Sequence, residues 1–109
     1  MIKFKGAQVA PAELEAVLLS HKSIKDAAVI GVPDPAAPGN ELPRAYVVGD
    51  PKEIDEASIK MFIKDQLASY KQLRGGVRYV DQIPRSPNGK ILRRVLKQRA
   101  LKEGKVAKL

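Results

Sequence analysis

A short apolar run in the first half of the chain constrains the fold most tightly. Residues 27–32, AAVIGV, contain no polar side chain and are followed at once by Pro33-Asp34-Pro35. A continuous apolar run of this length, bounded by turn residues, is typical of a buried strand and too short for an ordinary helix. We therefore expect a sheet built around this segment.

Two further strands and a small hairpin are predicted from the same kind of pattern. Residues 45–48, AYVV, and residues 77–80, VRYV, are short β-prone runs bounded by Gly or Pro. At the start of the chain, Ile2 and Phe4 alternate with Lys3 and Lys5, and Gly6 permits a tight turn. Residues 2–9 therefore predict a half-buried hairpin in which Lys3 and Lys5 share one face.

Three helices are predicted from apolar residues at helical spacing. The first begins at Pro11 and ends near Ser20–His21, with Glu13 and Glu15 near its positive end. Asp55 or Ser58 caps the second, and Ile91 begins a third that runs to about Leu101. The apolar positions are Leu14, Val17 and Leu18 in the first helix, Ile59, Phe62, Ile63, Leu67 and Tyr70 in the second, and Leu92, Val95, Leu96 and Ala100 in the third.

The elements combine into one small domain of the α/β (α+β) class. Its 109 residues suffice for a single core. We expect a three-stranded central sheet flanked by three helices, with a short N-terminal β-hairpin. Residues 33–43 are predicted to be a proline-rich loop, and residues 102–109 a flexible tail.

Composition excludes several kinds of site. The chain has no cysteine and one histidine, His21, so neither disulfides nor a zinc site of the usual ligand number is expected. His21 is interpreted as a basic residue at a helix C-terminus. No apolar run approaches the roughly 18 residues that a membrane-spanning helix needs.

The net charge of +8 leaves two interpretations open. From Lys71 onward the only acidic residues are Asp81 and Glu103. A basic surface of this kind binds polyanions such as nucleic acids, or it is a solvated face beside a site for a small anion. Composition alone does not choose between them.

A loop near the C-terminus offers the most suggestive local chemistry. Residues 84–90, PRSPNGK, place Lys90 directly after a turn, with Arg85 before it and Arg93 and Arg94 after it. Such a lysine can set a positive charge against a phosphate or carboxylate oxygen. The loop alone nevertheless favours an exposed turn lysine without a role, because surface lysines are common. The loop is not a Walker A motif, because Pro84 stands where that motif has its first glycine.

Two segments together resemble one known family. Residues 2–15, IKFKGAQVAPAELE, resemble the hairpin-and-helix motif that opens the C-terminal domain of adenylate-forming enzymes, and residues 84–94, PRSPNGKILRR, resemble its final lysine motif. That superfamily includes acyl-CoA synthetases, 4-coumarate–CoA ligases, beetle luciferases and peptide-synthetase adenylation domains. The segment LRGGV at 73–77 and the terminal GKVAKL are most similar to the insect 4-coumarate–CoA ligase-like and luciferase-like branch.

The resemblance implies a role for each matching residue. Lys90 matches the lysine that contacts acyl carboxylate and phosphate oxygens during adenylation. Lys3 and Gln8 match hairpin residues that face the active site in the second half-reaction, with Gln8 near the AMP phosphate, whereas Lys5 is only a weak candidate. Gly6 matches the turn glycine beside the path of the CoA pantetheine arm.

The resemblance also implies that residues 1–109 are a mobile lid whose partner is a large N-terminal domain. That domain, with the hinge, would hold the phosphate-binding loop, the adenine and acyl pockets, and most of the contacts to Mg²⁺. ATP, AMP and CoA are the implied cofactors, and an aryl or fatty carboxylic acid is the implied substrate. The isolated domain should be nearly inactive.

The terminal residues Ala107-Lys108-Leu109 are a variant of the Ser-Lys-Leu peroxisomal address. Because many relatives in the family are peroxisomal, a peroxisomal location and an import receptor are expected, with the cytosol as the location if the signal is not used.

Three rival interpretations of the function remain. The chain could belong to a luciferase-like monooxygenase, or it could be a stand-alone interaction domain. It could also be a nucleic-acid-binding module, which would need exposed aromatic side chains for stacking.

Overall fold

The computed structural model describes residues 1–67 and 71–107 and has the predicted α+β architecture. A two-stranded hairpin precedes a three-stranded sheet, and the described residues form three helices of more than one turn. In chain order the elements are β1 (Ile2–Phe4), β2 (Ala7–Val9), α1 (Pro11–Leu19), β3 (Asp26–Pro33), β4 (Glu41–Val48), α2 (Glu56–Gln66), β5 (Val77–Tyr79) and α3 (Arg93–Ala107).

The central sheet is mixed and has the order β3-β4-β5. Strands β3 and β4 pair antiparallel along their whole length, from Asp26 opposite Val48 to Pro33 opposite Glu41. Strand β5 pairs parallel with β4, with Val77 opposite Ala45. Strand β3 therefore lies at an edge of the sheet, although its apolar run is almost completely buried.

Helices cover both faces of this sheet, which explains the unbroken apolar run in β3. Alternate residues of a strand point to opposite faces. Ala27 and Val29 pack with the hairpin, α1 and α2, whereas Ala28 and Ile30 pack with Leu96 of α3. Among the apolar residues predicted for the first two helices, Leu14, Leu18, Ile59 and Ile63 are fully buried in the first of these cores, and Val17 and Leu67 pack against it.

Two charged side chains close the open edge of β3. The backbone N–H of Val29 donates to Glu15 Oε2 at 2.8 Å, and the Val29 carbonyl accepts from the Arg93 guanidinium at 2.8 Å. Arg93 and Glu15 also form a bidentate ion pair with each other. An unpaired buried strand edge is costly, so this clamp supplies the partners that a further strand would otherwise provide. The sequence predicts Glu15 only as a helix-terminus charge and misses this role.

Strand β4 begins earlier than predicted, because residues 41–43 belong to the strand rather than to the proline-rich loop. Pro43 lies opposite Gly31, and its carbonyl accepts from the Gly75 N–H at 2.8 Å. Proline is tolerated near the start of a strand. Here it precedes Ala45, where pairing with β5 begins.

Three helix boundaries also differ from the prediction. Asp55 caps α2 as predicted, but the helix ends at Gln66, with Leu67 in an extended conformation, and Tyr70 lies outside the described residues. Helix α3 begins at Arg93 rather than at Ile91 and continues to Ala107, into the segment predicted as a tail. Glu103 fixes this extension, because its carboxylate accepts from Arg78 Nε at 2.9 Å and from the Tyr46 hydroxyl at 3.1 Å.

The clamp predicts that replacing Glu15 or Glu13, both on α1, lowers the free energy of unfolding by different amounts. Glu15→Ala leaves Arg93 and the Val29 N–H without their carboxylate partner, which should lower the free energy of unfolding by about 3 kcal/mol. Urea denaturation of the purified chain measures this loss. Glu13→Ala is the matched control, since it removes only a half-exposed ion pair with Lys71 and should cost no more than about 1 kcal/mol. Equal losses would contradict the assignment.

Candidate functional site

The loop that presents Lys90 is a tight, internally bonded turn. The Gly89 N–H donates to the Ser86 carbonyl at 2.9 Å, and the Ser86 N–H donates to the Lys90 carbonyl at 2.8 Å. Pro87 and Gly89 occupy the second and fourth turn positions that favour these residues. Gly89 has φ of +89°, a conformation that a side chain would strain. Lys90 therefore projects from a defined backbone rather than from a loose loop.

The three arginines near Lys90 in sequence have different positions. The Arg85 guanidinium binds Asp26 and the Gly89 carbonyl, and Arg93 turns inward to Glu15. Lys90 and Arg94 are both exposed. The sequence suggests a cluster of cations around one ligand, but Arg85 and Arg93 are held by carboxylates of the domain itself.

The hairpin carries the other predicted site residues. Lys5 and Gly6 have φ of +49° and +81°, the pattern of a type I′ turn. Lys3 and Gln8 lie opposite each other on the exposed face, while Ile2 and Val9 pair on the buried face. Lys3 and Gln8 therefore form one polar surface, here called the hairpin face.

Lys5 does not share that face, which corrects the sequence prediction. Strand β1 ends at Phe4, so the alternation of side chains stops before Lys5 enters the turn. Its ammonium lies 5.4 Å from the centre of the Phe4 ring. Gly6 has open space where a Cβ would lie, and its positive φ is by itself sufficient reason for glycine.

A chain of hydrogen bonds fastens the hairpin turn to the loop before β4. The Lys5 N–H donates to Asn40 Oδ1 at 2.5 Å, and Asn40 Nδ2 donates to Asp34 Oδ2 at 2.9 Å. The Lys3 N–H donates to Glu41 Oε1 at 3.1 Å. The hydrogen bond from the Asn40 side chain, and a second from the Ala36 backbone, lower the pKa of Asp34 below its ordinary value.

The Lys90 loop and the hairpin face are held at opposite ends of the β3–β4 pair. Arg85 ties the loop to Asp26, the first residue of β3. The hairpin is tied to Glu41, which lies opposite Pro33, the last residue of β3. The seven residue steps between these two anchor positions correspond to about 23 Å of strand. The structure therefore brings Lys3 and Gln8 together and leaves Lys90 separate from them.

A surface cleft outside both predicted sites lies between β5 and α3. It encloses about 600 Å³ and is lined by Tyr46, Arg78, Tyr79, Arg99 and Glu103, among others. Burial is the main reason that the pKa of Tyr46 is raised. Because Glu103 accepts from both Tyr46 and Arg78, these groups have partners within the domain.

Other kinds of site have little support in the part of the chain that the structure describes. No group of three or more His, Cys, Asp or Glu side chains is placed to hold a metal ion there. None of the helices in those ranges is long and apolar enough to cross a membrane. Phe4 and Tyr46 are buried, and the ring centroids of Phe62 and His21 lie 4.9 Å apart in a T-shaped pair.

Comparison with known proteins gives a family match over most of the chain. The model of the AMP-binding enzyme C-terminal domain family matches residues 13–90. A putative acyl-coenzyme A synthetase from Emericella nidulans is 53% identical over 111 aligned residues, which cover 100% of this chain and 20% of that protein. A luciferin 4-monooxygenase from Photuris pensylvanica is 50% identical, with coverage of 90% and 18%.

Solved structures agree with the sequence comparison. A Mycobacterium tuberculosis fatty acyl CoA synthetase superimposes with a TM-score of 0.83 at 38% identity, covering 91% of this chain and 19% of that one. The chain therefore spans about a fifth of the length of the relatives that it matches. Fungal and beetle proteins match at similar identity, so the comparisons do not single out the insect branch.

The hydrogen bonds that link Lys5, Asn40 and Asp34 predict that the effect of Asp34→Asn on stability depends on pH. In Asp34→Asn, one of the two accepting oxygens becomes an N–H₂ group, so the side chain loses its hydrogen bond either from Asn40 Nδ2 or from the Ala36 N–H. Because the folded pKa of Asp34 is lowered from 3.8, its contribution is present above that value and lost as pH falls through the lowered pKa. The variant should therefore have a lower urea midpoint than the natural chain at pH 7.

The same comparison at low pH supplies the control. Once the pH falls below the lowered pKa of Asp34, the natural chain carries a protonated Asp34, so the two urea midpoints should converge. A difference that persists unchanged at low pH would contradict a role for the Asp34 charge.

Proposed function

Since the chain belongs to the AMP-binding enzyme C-terminal domain family, we propose that it is the lid of an ATP-dependent carboxylic acid–CoA ligase. The complete enzyme would join a carboxylate to ATP, giving acyl-AMP and pyrophosphate, and would then transfer the acyl group to the CoA thiol, releasing AMP. The main support within the structure is the presentation of two polar sites at opposite ends of one rigid sheet.

Lys90 suits the first half-reaction. Negative charge develops on the α-phosphate and on departing pyrophosphate as the carboxylate attacks, and a fixed ammonium stabilises such charge. The bonded turn holds the Lys90 backbone, while its side chain remains exposed and able to reach a ligand. A charge that is already in position before the reaction stabilises the transition state more than a charge that must first be ordered.

The hairpin face suits the second half-reaction. Lys3 and Gln8 lie side by side and exposed, so one cation and one amide can meet the AMP phosphate of the acyl-adenylate. Gly6 has no side chain, and there is open space where its Cβ would lie. This leaves room for the pantetheine arm of CoA. A bulky residue at position 6 would strain the turn and obstruct that path.

The separation of the two sites calls for movement of the whole lid. Two groups at anchor positions about 23 Å apart cannot contact one phosphate in the same docked arrangement. A rotation between the half-reactions would present Lys90 first, while water is excluded, and then the hairpin face, when CoA must enter.

ATP, AMP and CoA are the ligands of this proposal, and an aryl acid such as 4-coumarate or a fatty acid is the substrate. On this domain, Lys90, Lys3 and Gln8 are the groups that would contact them. Most contacts to the nucleotide, to Mg²⁺ and to the acyl chain would come from the large N-terminal domain, which is the proposed partner.

A luciferase-like monooxygenase is the second candidate, and the identity of 50% to the Photuris pensylvanica protein favours it. Such an enzyme would use the same adenylation step before oxidising its acyl-adenylate. The role of Lys90 in adenylation would be unchanged, and analysis of the products would distinguish the two candidates.

A chimera tests the assignment of the two half-reactions. This chain would replace the matching fifth of the Emericella nidulans relative, and pyrophosphate release and acyl-CoA formation would be followed over a panel of aryl and fatty acids. Lys90→Ala should slow adenylation by about 10²- to 10³-fold, because a preorganised charge is lost. Thioester formation from supplied acyl-AMP should stay within about twofold.

Lys3→Ala is the reciprocal variant. It should slow thioester formation by about tenfold, which equals the loss of about 1.4 kcal/mol of transition-state stabilisation, and leave pyrophosphate release nearly unchanged. Equal losses in both steps for either lysine would contradict the assignment. A folded chimera with no turnover would argue against the ligase function.

The terminal tripeptide Ala107-Lys108-Leu109 is proposed to direct the enzyme to peroxisomes. Lys108 and Leu109 lie outside the described residues, so the proposal rests on the sequence alone. Deleting the tripeptide from a fluorescently tagged protein with a free C-terminus should move it from peroxisomes to the cytosol. A version that ends in Ser-Lys-Leu is the matched control, and an unchanged location after deletion would refute the proposal.

A further inference from the structure

The side chain of Arg85 joins the Lys90 loop to the sheet by three hydrogen bonds. Its Nη2 donates to Asp26 Oδ1 at 2.7 Å and its Nε donates to Asp26 Oδ2 at 3.2 Å, so the carboxylate is held by two parallel bonds. Its Nη1 donates to the Gly89 carbonyl at 2.7 Å. The residue directly before Lys90 is therefore connected to the first residue of β3.

This loop is located relative to the sheet by its flanks as well as by Arg85: Ile83 is buried, Ile91 packs against the same apolar cluster, and Arg93 after the loop binds Glu15 and the Val29 carbonyl. Residues 85 and 87–90 are exposed, and the other hydrogen bonds described for this turn join residues 84–92 to one another. Those bonds fix the shape of the turn but not its position on the domain. The Arg85–Asp26 pair supplies a contact to a residue far away in sequence, on a strand buried in the core.

Arginine is suited to this place for a geometric reason. A guanidinium has donors in a rigid plane, so one edge can bind a carboxylate with two bonds while the remaining nitrogen meets a carbonyl. A lysine ammonium in the same place is a point charge on a flexible stem and cannot reproduce this fixed geometry. The hydrogen bonds to Asp26 raise the pKa of Arg85 further, so the guanidinium stays charged.

The Arg85–Asp26 ion pair also gives the two cations of residues 84–90 different roles. Arg85 and Lys90 are its only charged residues. Because Asp26 offsets the charge of Arg85, the exposed charge that the segment offers to a ligand is that of Lys90.

We propose that Arg85, held by Asp26, is a positioning residue that sets the place of Lys90 during adenylation. The proposal rests on the proposed function of Lys90 and adds a second residue to it. Arg85 touches the Gly89 carbonyl and not the reacting atoms, so it acts only through the placement of the lysine. Misplacement of a catalytic group by about 1 Å can reduce a rate by about 10²-fold.

The test uses the chimera of this chain with the Emericella nidulans relative and measures both half-reactions. Arg85→Ala should lower kcat for pyrophosphate release by about tenfold, with the KM values for acid and ATP within about twofold. Thioester formation from supplied acyl-AMP should be unchanged, because the hairpin face is anchored elsewhere. Arg85→Lys should recover only part of the loss.

Three further variants separate positioning from a general effect on the fold. Asp26→Asn keeps the size of the side chain but removes its charge, and it should reduce adenylation by about threefold, in the same direction as Arg85→Ala. Lys60→Ala is the matched control, because it breaks an exposed ion pair with Glu56 on α2 and should leave both half-reactions unchanged. Adding Arg85→Ala to Lys90→Ala should cause no further loss, since the residue acts through Lys90.

The outcomes distinguish this inference from the proposed function. If Lys90→Ala slows adenylation but Arg85→Ala does not, the positioning role is refuted and the function stands. Parallel loss of both half-reactions in a destabilised Arg85→Ala chimera, with full recovery in Arg85→Lys, would also refute it in favour of a purely structural ion pair. If Lys90→Ala has no effect on adenylation, the proposed function itself fails.

Discussion

The ion pair between Glu15 and Arg93 at the edge of β3 is the contact on which the arrangement of the domain depends. It satisfies both backbone groups of Val29 and joins α1, on one face of the sheet, to α3, on the other. A buried edge strand without such partners would expose unpaired N–H and C=O groups to an apolar core. Because Arg93 begins α3, the same contact fixes the chain three residues after Lys90.

The β3–β4 pair acts as a rigid spacer between two exposed polar sites. Arg85 attaches the Lys90 loop at Asp26, and the bond chain through Asn40 and Glu41 attaches the hairpin at the far end of the same strands. Both sites are therefore attached to the same sheet. This explains why a two-step reaction that uses both sites would need a rotation of the domain and not a local loop movement.

Patterns that repeat over a few residues predicted much of this structure from the sequence. The apolar run at 27–32, the hairpin around Gly6 and the cap at Asp55 are local features, and the structure confirms them. The predicted strand start at Ala45 and helix end near Leu101 were wrong. Pairing with β3 extends β4 back to Glu41 despite Pro43, and the contacts of Glu103 hold a helix that continues to Ala107.

The supporting residues of the site could not be predicted in this way. Asp26 lies 59 residues from Arg85, and Glu15 lies 78 residues from Arg93, so no periodic pattern links the partners. Lys90, Lys3 and Gln8 are proposed as site residues from their motifs, whereas the contacts that hold them appear only when the chain is folded. The most direct test of the account is hydrogen exchange of the chimera, first with acid and a non-hydrolysable ATP analogue and then with a stable acyl-adenylate analogue and CoA. Protection should appear at residues 85–91 in the first state and at residues 3–8 in the second, whereas protection of both segments in the same state would contradict it.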